Sequence, residues 1–220
     1  MKLKKIASLM LAGVMAVSML AGCKGSANSG EEENPVVPTT GIVADANGVL
    51  TDDQKEIFSY VGSTNLDAIL KEIAADTKNL DEGEITAAYK NFKPGTQDQE
   101  LNKKLRDKLE GLKANGPKYF TDAPANGKSQ SYGWVYTISG KMTQTEAVEA
   151  TAEYFARYMD NKQNVETVVK YNDAKYNAEY SVEISAVKAS NNSNVDGESA
   201  WVIAFVVTQT LGDKVVNNVG

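Results

Sequence analysis

The sequence predicts an α+β fold: a helical N-terminal half, then an antiparallel sheet that carries one long helix. Three observations predict it. Apolar residues recur at spacings of three and four between 51 and 112. They switch to strict alternation around Trp134, Tyr136 and Ile138, and again at Tyr180, Val182, Ile184 and Ala186. The stretch 201–207 is almost continuously apolar and reads as a central strand covered on both faces. A single domain over 51–220, about 170 residues, is long enough to bury a proper core.

The elements follow in order. Thr51 and Gln54 form a capping box, with Asp52 and Asp53 favourably placed at the positive end of a helix dipole. Ile57, Phe58 and Val61 give that helix a short apolar face, ended by Gly62. Asn65 is positioned to cap a second helix with Leu66, Ile69, Leu70 and Ile73 on one side. Ile85, Ala88, Tyr89 and Phe92 make a third face, stopped by Lys93-Pro94-Gly95. Leu101, Leu105, Leu109 and Leu112 form a narrow fourth stripe before Asn115-Gly116-Pro117.

The second half opens with a strand that places Trp134, Tyr136 and Ile138 on one face. Thr143 and Glu146 make another capping box, and the helix behind it aligns Val148, Thr151, Phe155, Tyr158 and Met159. Glu153 and Arg157 pair on its outer side. The stretch 165–171 is compatible with a strand or a helix. The strand at 180–186 has one buried and one wet face, and the turn-rich residues 191–197 predict that it pairs with 201–207 as a hairpin with a long loop.

The N-terminus carries a different message. Lys2, Lys4 and Lys5 precede an apolar run over 6–21, which is short for a membrane span and fits a secretory signal. The run closes on Leu20-Ala21-Gly22-Cys23. This stretch resembles the lipobox of bacterial lipoproteins. The resemblance implies diacylglycerol on the Cys23 thiol and cleavage just before it, giving a signal peptide over 1–22. Cys23 is the only cysteine, so it has no intramolecular disulfide partner and acylation gives it a role. Residues 23–50 then read as the lipidated cysteine and a flexible acidic tether, rich in Gly, Ser, Pro and Glu. The expected location is extracytoplasmic, with the membrane as partner through the lipid on Cys23.

Composition narrows the chemistry. Loss of the three signal lysines lowers the 23 basic residues to 20 against 29 acidic, a net formal charge of about −9. No nucleic acid partner is expected from such a chain. Nor does that balance favour flat adsorption to anionic lipid, so the anchor is expected to hold it there. There is no histidine, which excludes Ser-His-Asp and Cys-His catalysis and any histidine-ligated metal. With the single cysteine acylated, thiolate metal centres and redox disulfides are also excluded. No cofactor is expected. Carboxylates are left as the available reactive groups.

Candidate surfaces are few. Tyr132, Tyr136, Tyr171, Tyr176 and Tyr180 fall in the C-terminal half and would stack on sugars or peptides if exposed, although tyrosine is a routine half-buried strand residue and that structural reading is the favoured one. Glu179, Glu183 and Glu198 lie near the hairpin and either line a site or coat a solvated face. Asn192, Asn194, Asp196 and Gly197 match the start of a calcium loop, but its twelfth position is Ile203 within a strand, and a plain hairpin loop is the reading. Asn191-Asn192-Ser193 matches a glycosylation acceptor by chance.

Between 85 and 212 the order of elements also resembles a degenerate CAP domain, of the cysteine-rich secretory and pathogenesis-related superfamily. The resemblance rests on Leu101, Leu105 and Leu109 followed by Tyr119-Phe120, on the strand from Gly133 to Tyr136 feeding the helix with Glu146-Ala147-Val148, and on the closing strand over 201–212. It implies an α-β-α sandwich with a binding or scaffold role. The family's cleft histidines have no counterpart here, and Trp134 stands where a glutamate is expected beside Gly133, so no metal or site residue carries over. A cystatin-like helix on a curved antiparallel sheet is the alternative arrangement. The function expected from these features is a non-catalytic binding domain for an envelope polymer, peptide or partner protein. The alternatives are a carboxylate-dependent enzyme acting on envelope glycans and a structural or assembly subunit.

Overall fold

The computed structural model describes residues 41–76, 78–95, 98–113, 120–191 and 197–215. The signal segment, Cys23, the tether up to 40, the turn at 115–117, Tyr119 and most of the calcium-like loop lie outside them. The apolar run 201–207 sits in the long strand β5 (Ser199–Lys214). It pairs antiparallel with β4 (Ala174–Ser190) on one side and β2 (Ser129–Ser139) on the other. The hairpin expected between the 180s and the 200s is therefore present, with Val182 opposite Val207 and Ile184 opposite Phe205. The open alternative at 165–171 resolves as strand β3 (Val168–Tyr171), antiparallel to the start of β4.

One strand escapes the sequence pattern. Tyr60 and Val61, read as the end of a helix, form β1 and pair parallel to β4, so the sheet is mixed rather than antiparallel. Two residues are too few to show alternation. The outer edge of this strand is completed by a side chain: the Asn47 carboxamide accepts from the Tyr60 N–H at 2.9 Å and donates to its carbonyl at 2.8 Å. Pairing both backbone groups of an edge residue blunts an exposed edge.

Helices cover both faces, giving the three-layer arrangement rather than the single helix on a sheet. On one face lies α6 (Gln144–Met159), flanked by α1 (Ile42–Gly48) and α2 (Asp52–Ile57). On the other lie α3 (Thr64–Ala75), α4 (Glu82–Tyr89) and α5 (Gln99–Lys108). The Thr51 and Thr143 capping boxes form as read. Asp81 and Glu84 supply a third that the apolar pattern did not reveal, and Ser63 rather than Asn65 caps α3. Phe92, assigned to an apolar face, follows the end of α4 and is 50% exposed.

The domain begins earlier than expected. Residues 42–50, placed in the tether, hold α1 and bury Ala46 and Leu50 against the layer that contains α6. Gly41 enters this helix with φ of 92°, a conformation open to glycine at low cost. Short apolar residues interspersed with Ala, Asn and Gly gave no visible periodicity over this stretch.

The two faces differ in what they pack. Toward α6, Phe155 stacks on Phe205 with ring centres 4.3 Å apart, and Trp134 meets Phe155 edge-on at 5.3 Å. Such ring pairs stabilise beyond the area they bury, by about 0.5–1.5 kcal/mol each. The Tyr60 hydroxyl donates to the Ala152 carbonyl of α6 at 2.7 Å, tying the edge strand to that helix. Toward α3–α5 the sheet presents Ala189, Ala200, Val202, Ala204 and Val206, against which Leu66, Leu70, Ile73, Leu101 and Leu105 pack.

Candidate functional site

The tyrosines do not form a surface. Tyr132, Tyr136 and Tyr180 are buried in the core facing α6. Tyr136 lies edge-on to Phe205, and burial together with the neighbouring Tyr154 and Tyr158 pushes its phenol far above the ordinary range. Tyr180 donates to the carbonyl of Glu166 at 2.6 Å and accepts from the Gln209 side chain at 3.0 Å. Burial raises its phenol to about 12 despite that hydrogen bond. Gln130 donates to Gln209 at 2.6 Å and accepts from the Tyr132 hydroxyl at 3.3 Å, so two glutamines and two tyrosines are linked in one chain of hydrogen bonds that runs from the core to the half-buried Gln130. Tyr171 and Tyr176 are half-buried and touch each other at 6.4 Å at the β3–β4 hairpin. The Tyr171 ring lies directly over Gly127, where a Cβ would fall 2.5 Å from it. Tyr132, Tyr136 and Tyr180 are structural, because the alternation that aligns them with Val182 and Ile138 also aims them at α6; Tyr171 and Tyr176 keep part of their surface exposed at the hairpin.

Among the described residues, nothing covers the other face of the sheet beyond the ends of α3 and α5. Register places Ser131, Thr208 and Ser181 in one row across β2, β5 and β4, with Ser129, Thr210 and Glu179 in the next. Ser129, Thr210, Ser181 and Glu179 are exposed, and Ser131 and Thr208 are half-exposed. The Ser131 and Thr208 hydroxyls bond each other at 2.8 Å across the strands. Gly212 leaves room for Glu179 to lie flat: a Cβ there would meet its Oε1 at 2.8 Å. Above these rows sits Glu183, half-buried beside the start of α3. Burial holds its carboxyl above the ordinary carboxylate range, while a hydrogen bond with Ser63, the α3 cap, works the other way. Rigid strands thus present short hydroxyls, each able to donate and accept, bordered by two acidic groups.

The three carboxylates singled out in the sequence do not converge. Glu179 and Glu183 share a face but lie four residues apart on one strand, about 13 Å between Cα atoms. Glu198 sits at the opposite end of the sheet, where its carboxylate accepts from Thr86 at 2.5 Å. Among the described residues no group of three or more acidic side chains is arranged to hold a metal. A cavity of about 370 Å³ lies between α3 and α5, lined by Glu72, Asp76, Asn79, Lys104 and Lys108 among others. Its rim charges are of both signs, and Lys108 already pairs with Glu72 at 2.5 Å. Among the described residues no helix is long and apolar enough to cross a membrane.

The hydroxyl rows were in principle visible: Ser129, Ser131, Ser181, Thr208 and Thr210 all occupy alternate positions of their strands. Nothing in the sequence says which strands adjoin or where the helices stop. Compared with protein-family models, curated proteins and solved structures, the chain matches none.

Proposed function

We propose that the protein is an extracytoplasmic lipoprotein, tethered to the bacterial membrane through Cys23, whose domain binds a polar envelope polymer on the open half of its sheet. The anchoring rests on Leu20-Ala21-Gly22-Cys23 and the solitary cysteine. The binding reading rests on one observation: among the described residues, two adjacent rows of serine and threonine hydroxyls stay open on a sheet whose other face is covered by helices. Hydroxyls fixed at strand spacing suit a repeating ligand that carries hydroxyl or amino groups, and Glu179 adds preference for the latter. The α-β-α layering supports a CAP-like arrangement in which the metal-binding cleft is lost.

Two measurements test this. Mass spectrometry of the purified protein should show the acyl groups on Cys23, and Cys23→Ala should abolish lipid labelling; a labelled variant would refute the anchor. Cosedimentation of the intact protein with insoluble envelope polymer should be lost in the triple variant Ser131→Ala, Thr208→Val, Ser181→Ala. Equal sedimentation of the two proteins would overturn the binding surface.

A further inference from the structure

We draw no further inference here: the strongest candidate, the cavity between α3 and α5 lined by Glu72, Asp76, Asn79, Lys104 and Lys108, carries nothing, because the Asn79 side-chain oxygen, its one buried atom without a partner among the described residues, is closed to solvent, and rim charges of both signs, with Lys108 already on Glu72, single out no ligand.

Discussion

The two faces of the sheet are built on opposite principles. The face toward α6 is filled by large buried rings, Trp134, Tyr136, Phe155 and Phe205, packed against one another along the centre of the sheet. The face toward α3, α4 and α5 is lined by alanine and valine for half its length, then gives way to serine, threonine and glutamate. Small residues let three short helices settle close to the strands, and where the small apolar residues end, so does the helical cover. The difference teaches where stability and binding are separated: one face holds the fold, and the other is divided between holding and display.

The largest expected effect comes from breaking the ring-filled face. Phe205→Ala removes the ring stacked on Phe155 and should cost about 3–5 kcal/mol of unfolding free energy, read from urea denaturation. On the opposite face the sensitive change is an increase in volume. Ala204→Leu is fully buried against the α3–α5 layer and should cost about 1–3 kcal/mol through overpacking, in the same assay.

The border between the covered and open halves gives smaller effects. Ser185 is buried, and among the described residues no protein group pairs with its hydroxyl. Ser185→Ala should therefore stabilise by about 1 kcal/mol, measured by the shift in melting temperature. Next to it, Glu183 has a folded-state value raised chiefly by burial. A raised carboxyl holds its proton longer in the folded state than in the unfolded chain, so stability falls as pH rises from the ordinary glutamate value through the folded one. Melting temperatures of the wild-type protein and Glu183→Gln across that window should differ in slope, with the variant flatter and slightly more stable at neutral pH.

Legibility followed the length of each pattern. The helix over 144–159 and the strands around 134 and 203 were readable because many residues repeat one spacing and a capping box marks the start. Helix α1 and strand β1 were not, since seven mixed residues and two strand residues are shorter than any period that could reveal them. The tyrosines illustrate a conflict inside the sequence itself. Alternation already grouped Tyr136 with Trp134 and Ile138, and Tyr180 with Val182, which is the signature of a buried face. Their role as a binding surface could have been set aside on that ground. The hydroxyl rows could not have been found in this way, because each serine or threonine is unremarkable within its own strand.

By itself the sequence determined the class of the fold, the long helix with its cap, the central hairpin, and the lack of histidine and of any cysteine beyond position 23. Those follow from local periodicity, capping chemistry and composition, which need no partner to be read. Tertiary structure alone decided that helices cover both faces, that Asn47 completes the edge of the sheet, that Tyr132, Tyr136 and Tyr180 lie inside, and that serines and threonines from three strands meet in rows. These depend on which strands adjoin and where a helix stops above them, and both are fixed by contacts between residues far apart in the chain.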